Sequence, residues 1–528
     1  VKTMRKRVMI ISEFSELSTG YSIYAKNLIR QLYNSNKYEI AELACYAEVG
    51  DPRLSSPPWK VFPTVPHPED TQGRKQYHSD PFNAFGKGVC NAIFNEWRPD
   101  YVLTFFDAWY SDHLINLPSY YNTVENGLFN LIWMPTVDAV NQKPSWLASY
   151  KECDGLLCYT DWSRDILQEE GSLFTHGEAP ACGSEEFAPG HKGKAKESFG
   201  LSPDTKIITM VSRNQRRKLF PDLINTFAEY LKESERDDTL LWLHTSYPDN
   251  QGWDIGRCIM DGEVCNKVLI TYSCECGNVF PNHFCGATAF CGNCHRWSAQ
   301  TSNVGGKISD SDMARILNAT DLAVLHSNSE GQGIFTWQAA ACGVPICEVD
   351  YSAMSSAVNK MGGYKVPPIS LTEEIETGCK RAVPDNSALK AVFHDHFSLP
   401  NSLQVLKGAE TRNKYIENYS WDKTANEWMK IIDSLPVKTW NRDARMDTSE
   451  AFSPHPHLSN TQYARWLIKK VACQPERLNT FFELQLIEEL TNGVMDNTKL
   501  TRKPREFFYE RYSWFRNRLN ELEHIRCN

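Results

Sequence analysis

A chain of 528 residues with 41% hydrophobic and 12% aromatic side chains is too long for one core, so two or three domains are expected. The net charge of −9 excludes a protein that coats nucleic acid or membrane over its whole surface, but leaves room for a local basic groove. No run approaches the ~18 apolar residues of a membrane span, Arg5-Lys6-Arg7 is not followed by the apolar core of a secretory leader, and seventeen scattered cysteines read as reduced thiols of a cytoplasmic protein plus one metal site.

Arg7–Ser12 is an apolar run suited to a buried parallel strand. The loop Glu13–Gly20 leads into a helix over Tyr21–Tyr33, whose apolar positions have helical period. Ile40–Tyr46, Ala84–Glu96, Tyr101–Phe106, Leu128–Met134, Gly155–Tyr159 and Trp162–Glu170 then alternate between strand and helix patterns, which implies a parallel α/β domain over residues 1–195. A second series occupies residues 196–418: strand Lys206–Val211, helix Asp222–Lys232, strands Thr239–His244 and Lys267–Tyr272, helix Ser309–Asn318, strand Leu322–His326 and helix Ile334–Cys342. The predicted fold class is α/β, two Rossmann-like doubly wound domains facing a cleft, with an insertion over 273–306, a crossover helix over 419–435 and a helical extension over 436–528.

The richest stretch is Ser329-Glu330-Gly331-Gln332-Gly333, between a buried strand and a helix that starts at Ile334. Free N–H groups at a helix start, with two glycines beside them, can host an anion and let a ligand come close. Glu330 at the mouth of the strand adds a hydroxyl-binding carboxylate, so the stretch suits a phosphate and a polyol together, as in a nucleotide sugar. Gln338 lies two turns along the same helix and is a candidate for ribose hydroxyls. Arg213, Arg216, Arg217 and Lys218 follow the first strand of the second domain, where such a cluster of cations calls for an anion. Gly20 opens the first helix of the first domain and is a second candidate phosphate contact.

Cys274-x-Cys276 and Cys291-x-x-Cys294, separated by fourteen residues, suit tetrahedral thiolate coordination of a structural Zn2+, with Cys285, His283 or His295 as substitutes for one ligand. Cys258 and Cys265 read as packing thiols. In the extension, Arg502, Lys503, Arg505, Arg511, Arg516 and Arg518 interleave with Phe507, Phe508, Tyr509, Tyr512, Trp514 and Phe515, a pattern that fits either an amphipathic helix or a nucleic-acid contact.

These motifs together resemble the retaining glycosyltransferases of GT-B fold, family 4 (glycosyl transferases group 1). The resemblance rests on Ser329-Glu330-Gly331-x-Gly333 with Gln338, Gly343 and Pro345; on Val211-Ser212-Arg213 with Lys218; on Leu243-His244-Thr245 with Gly252-Trp253-Asp254; on Gly183, Phe187 and Pro189; and on Tyr419-Ser420-Trp421. It covers about residues 7–435. It implies that Arg213 and Lys218 hold the donor diphosphate, that Glu330 bonds sugar hydroxyls, that backbone N–H groups near Gly331, Gly333 and Ile334 meet phosphate or sugar, and that Gly20 approaches the diphosphate. It also implies a nucleotide-sugar donor, UDP-linked by preference, transfer to a hydroxyl with retention, and no catalytic metal. The family's second glutamate is Gln338 here, and its N-terminal-domain histidine has no clear counterpart, so Asp138 is the candidate catalytic residue on that side. A hydroxymethylated base in DNA, a glycan and a lipid-linked alcohol are the acceptors considered, and a non-catalytic nucleic-acid or partner-binding protein on an inactive scaffold of the same fold is the alternative. The oligomeric state is left open.

Overall fold

The computed structural model describes residues 5–115, 129–301 and 308–438. The expected helical extension from 439 onward, with its basic-aromatic pattern, lies outside the described residues, as does the end of the insertion at 302–306.

The first domain is a six-stranded parallel sheet: β1 (Lys6–Glu13), β2 (Tyr38–Glu48), β3 (Lys60–Val65), β4 (Tyr101–Thr104), β5 (Asn130–Trp133) and β6 (Gly155–Leu156), in the order β3-β2-β1-β4-β5-β6. Val8, Met9, Ile10 and Ile11 of β1 are all buried, as a strand covered on both faces requires. The order reverses between β1 and β4, so the loops after these two strands open the crevice in which such sheets hold ligands. Sequence reading misses β3, because Pro63 interrupts its pattern; β3 is an edge strand, where a missing N–H is tolerated. The helix expected over 84–96 is instead a 3-10 turn Pro81–Phe85 and a helix Cys90–Trp97, separated by Gly86 at φ 88°.

The second domain repeats the plan. Its parallel strands are β7 (Lys206–Val211), β8 (Thr239–His244), β9 (Val268–Ser273), β13 (Leu322–Leu325), β14 (Ile346–Val349) and β15 (Tyr364–Val366), in the order β9-β8-β7-β13-β14-β15. The reversal here falls between β7 and β13, which places the 212–219 and 326–333 loops side by side. The insertion adds β10 (Val279–His283), β11 (Thr288–Cys291) and β12 (Arg296–Thr301), all antiparallel: β10 runs along β9, β12 pairs with the last two residues of β9, and β11 pairs with β12. A separate hairpin, β16 (Pro368–Glu373) with β17 (Lys380–Pro384), and the helix Asn386–Ser398 are further elements that the sequence reading does not place. The short helix Lys192–Glu197 sits on the second domain, with Lys196 Nζ 2.7 Å from Asp321.

Helix Trp421–Ser434 returns to the first domain, where its buried face meets helix Gly20–Asn34. Trp428 is fully buried, and its indole N–H donates to the Tyr24 hydroxyl at 2.8 Å. Thr424 Oγ1 donates to the Pro180 carbonyl at 2.6 Å, and the ring of Trp421 lies edge-on to Tyr24 at 5.4 Å. Among the described residues no helix is long and apolar enough to cross a membrane.

Candidate active site

The loops after β1, β4 and β5 of the first domain face those after β7 and β13 of the second. Backbone bonds between the last two bring the site together: Leu219 N–H donates to the His326 carbonyl at 3.1 Å, and Asn328 N–H to the Arg217 carbonyl at 2.9 Å. This zipper places Lys218 and Arg217 beside Glu330. Lys218 Nζ is ion-paired with Glu330 Oε1, and Arg217 Nη1 lies 2.8 Å from Oε2. The Glu330 backbone is fixed by Ser352, whose Oγ accepts the Glu330 N–H at 2.9 Å.

Burial by itself would raise the Glu330 carboxyl, but the Arg217 and Lys218 charges outweigh it and hold the group at about 2. For Lys218 the balance runs the other way. Burial and then the Arg217 charge disfavour its ammonium more than Glu330 supports it, and its value falls to about 8. One carboxylate therefore serves two cations. Glu348, at the end of β14, is fully buried, and burial pushes its carboxyl well above the usual range. Two cations thus share one directly paired carboxylate at the switch point, an arrangement that suits an anion.

The glycines beside Glu330 have distinct structural reasons. Gly333 is the N-cap of helix Ile334–Ala341 and sits at φ 79°, where an L side chain is strained. It offers no side chain to cap the first turn, whose N–H groups are left to other acceptors. At Gly331 an added Cβ would lie 2.3 Å from Thr136 Cγ2, so glycine is what lets the two domains touch here. Gln338 is buried four residues after Ile334, on the same helical face. Gly20 begins helix Gly20–Asn34 with open space where a side chain would be, behind an N-cap Thr19 that accepts the Ser22 N–H.

Arg213 is not drawn into the Glu330 cluster. Its guanidinium is partly exposed and binds Asp249 through Nε at 2.8 Å and Nη2 at 3.3 Å. The cation that joins Lys218 is Arg217. Asp138 is likewise committed across the cleft: its Oδ2 is 2.7 Å from Arg381 Nη1, and that same nitrogen donates to Ser329 Oγ at 2.7 Å. Arg381 comes from β17, so the hairpin missed in sequence supplies an interdomain tie.

A further acid, Asp107, stands just past the end of β4. Tyr21 Oη and Thr136 Oγ1 are 2.8 Å apart, and both bond to its carboxyl. Burial, with the Asp138 charge, raises Asp107 to about 6. A lone aspartate after Phe105-Phe106 carries no sequence signal; the signal in hindsight is its place at the end of a strand next to the topological switch.

The four cysteines come together. Their Sγ atoms all lie within 4.8 Å of one another, with Cys274–Cys294 and Cys276–Cys291 each at 3.6 Å. A tetrahedral site with Zn–S of about 2.3 Å puts its sulfurs about 3.8 Å apart, so the spacing fits a metal and not a disulfide. Asn278 and Asn293 each donate an amide N–H to a sulfur at 3.5 Å, and Ser298 Oγ lies 3.2 Å from Cys274, the kind of outer support that metal thiolates receive. Cys285 is turned to the Tyr272 hydroxyl and His283 to the Val268 carbonyl, so neither replaces a member of the four; His295 lies beside the Phe290 ring. No cysteine among the described residues is in a disulfide; Cys258 is partly buried, but Cys265 is exposed and not a packing thiol.

The fold is GT-B, two Rossmann-like domains across a cleft with a helix that returns from the second to the first. No family model matches the chain. The chain is 23% identical over 276 residues to D-inositol 3-phosphate glycosyltransferase of Rhodococcus opacus, 52% of this chain and 50% of that protein. Among solved structures it is similar to sucrose-phosphate synthase from Thermosynechococcus elongatus, with TM-score 0.56, 16% identity, and 81% and 98% of the two chains covered. The Anabaena protein HepE in complex with UDP and glucose superposes with TM-score 0.53 at 11% identity, over 82% of this chain and 100% of that one. The matches bear out the resemblance to GT-B glycosyltransferases, at identities where the structural likeness speaks for the fold. The chain spans half or less of the length of the curated relatives it matches.

Proposed function

We propose that the protein is a glycosyltransferase that moves a sugar from a nucleoside-diphosphate sugar, UDP-linked by preference, to a hydroxyl acceptor with retention of configuration. The observation that carries this is the excess cation at Lys218, beside a carboxylate and a glycine-capped helix N-terminus, at the switch point of the second domain. The UDP preference is supported by the UDP complex of HepE.

In this reading the acceptor oxygen bonds to the anomeric carbon as the bond to the diphosphate breaks, and the departing electron pair goes to the β-phosphate oxygen. Lys218, Arg217 and the N–H groups at Gly333 and Ile334 offset that charge in a partly water-excluded cleft. Glu330 keeps Lys218 and Arg217 in place and bonds sugar hydroxyls; Gln338 bonds the ribose. Gly20 and Gly331 give the diphosphate and the facing domain room to approach. Arg213, held by Asp249, is the outer diphosphate contact. Asp107, bonded to Tyr21 and Thr136 and within reach of the Asp138 charge, takes the role of base in this reading; its raised value suits it to accept the acceptor proton near neutral pH. Isothermal titration of a panel of nucleoside-diphosphate sugars into wild type and Lys218→Ala tests the reading, and panel-wide absence of binding rejects it.

A Zn2+ held by Cys274, Cys276, Cys291 and Cys294 completes the proposal. Four thiolates leave no open position, so the ion is structural. For the acceptor, a hydroxymethylated base in DNA is the first to test, because the ribbon that carries the cysteines exposes Trp297 and Phe290, 6.0 Å apart, beside Arg296. Transfer to such DNA is expected to fall steeply with added salt; transfer that ignores salt, or goes only to free sugars or lipids, rejects this acceptor.

A further inference from the structure

The loop that carries the cations has little regular structure of its own. Between β7 and helix Phe220–Ser234, many of its polar groups are satisfied by a second loop, residues 246–253. Asn214 N–H donates to Ser246 Oγ at 3.1 Å, and the Asn214 amide exchanges two bonds with the backbone of Trp253, at 2.9 and 2.8 Å. Arg216 N–H donates to the Gln251 carbonyl at 3.1 Å, and the Trp253 indole donates to the Arg216 carbonyl at 3.1 Å. Gly252 is pressed so close that a Cβ there would lie 2.4 Å from the Asn214 carbonyl oxygen. Asp249, which holds Arg213, also accepts from Ser246 Oγ at 3.0 Å.

The second loop rests in turn on the cysteine ribbon. Thr301, the last residue of β12, engages both backbone polar groups of Tyr247: its Oγ1 accepts the Tyr247 N–H at 3.1 Å and donates to the Tyr247 carbonyl at 2.7 Å. Phe284, from the same insertion, lies edge-on to the Tyr247 ring at 5.0 Å and fills the space over Gly256, where a Cβ would meet its ring at 2.6 Å. The ribbon itself is weakly anchored by backbone. β12 pairs with β9 at only Gln300↔Ser273 and Thr301↔Tyr272, and otherwise with β11. A two-stranded ribbon is marginal in water by itself. Its free end is where Cys291 and Cys294 meet Cys274 and Cys276.

We infer that the metal-clamped ribbon is a brace for the cation loop: the ion orders β11 and β12, Thr301 transmits that order to residues 246–253, and these fix residues 213–218. Thr301 is thus a positioning residue that acts through the backbone of Tyr247. The inference rests on the Zn2+ reading given above and needs no bound nucleotide. It predicts that the ribbon governs the order of the donor-side loop without governing the fold.

Amide hydrogen exchange of the full chain, read by mass spectrometry, tests this. In the Cys276→Ser/Cys294→Ser variant, peptides covering 213–218 and 246–253 are expected to exchange roughly tenfold or more faster than in the zinc-loaded wild type. Peptides from β13 and β14, in the same domain as the ribbon, and from β1 and β2 of the first domain are expected to be unchanged, which establishes that both domains stay folded. Thr301→Val, with zinc content unaltered, is expected to loosen the same two segments, and Thr301→Ser to restore them. Wild-type chain that retains no zinc overturns the metal reading and the brace together. Zinc bound at one equivalent, with exchange in 213–218 indifferent to both variants, overturns the brace alone.

Discussion

At Glu330 one buried carboxylate meets two cations, and the imbalance sets what the site binds. Lys218 is the partner with charge to spare, and its depressed value near 8 makes it titrate close to neutrality. A lysine whose value is lowered loses its proton, and hence its pull on a diphosphate, as pH rises through that value. We expect kcat/KM for the donor to fall on the alkaline side with an apparent pKa of about 8, and this limb to vanish in Lys218→Arg, whose guanidinium stays charged. An alkaline limb that persists in Lys218→Arg contradicts the assignment. Lys218→Ala should lower kcat/KM by about 10²–10³-fold, the usual cost of removing one charge-stabilising donor. Asp107 makes the opposite limb: raised to about 6, it is ionised only above that pH, so activity should decline below it and lose that dependence in Asp107→Asn. Lys218, Glu330 and the glycines were legible in the sequence because they sit at fixed offsets from strands with plain apolar patterns. Arg217 was not, since adjacent cations in a loop cannot be told apart until the 217–328 backbone zipper shows which one turns to Glu330. Asp107 was not, since its partners Tyr21 and Thr136 come from the first helix and from the loop after β5.

Among the elements, the strands that end at the cleft were readable and the ones that tie the cleft shut were not. β1, β7, β8 and β13 are continuous apolar runs buried on both faces, and each appears within two residues of its expected limits. β16 is almost wholly exposed, and β17 is a short antiparallel strand of mixed burial, so neither carries such a run; yet β17 supplies Arg381, the partner of Asp138. Gly331 marks where the domains come closest. Gly331→Ala puts a methyl against Thr136, and the resulting misalignment should lower kcat by up to about 10²-fold with little loss of thermal stability. Steady-state kinetics beside a melting curve separate the two effects. The crossover helix is a stability element. Trp428→Ala removes a fully buried indole and its bond to Tyr24, and should cost about 3–5 kcal/mol in a denaturant titration. A loss under about 1 kcal/mol would mean that the first domain does not depend on the returning helix.

Across the whole molecule, two sheets of the same strand order place their switch points on facing sides of one cleft. That arrangement explains why a chain with a net charge of −9 can still hold an anion: the cations Arg213, Arg216, Arg217 and Lys218 are gathered in the loop after β7, and the loop after β13 brings the single acid Glu330 beside two of them. The doubly wound plan was legible from the alternation of strand and helix patterns. The contacts between domains were not, because side chains such as Arg381 and Tyr351 cross from one unit to the other over long sequence separations; Tyr351 Oη accepts the Val140 N–H at 3.1 Å and donates to the Lys380 carbonyl at 2.5 Å. The measurement that bears most directly on the central claim is calorimetric titration of nucleoside-diphosphate sugars into the chain at pH 7. The account predicts saturable binding of at least one of them, strongest for a UDP-sugar and weakened at least about tenfold, ~1.4 kcal/mol, in Lys218→Ala. Failure of every donor to bind wild type, or equal binding by Lys218→Ala, would contradict it.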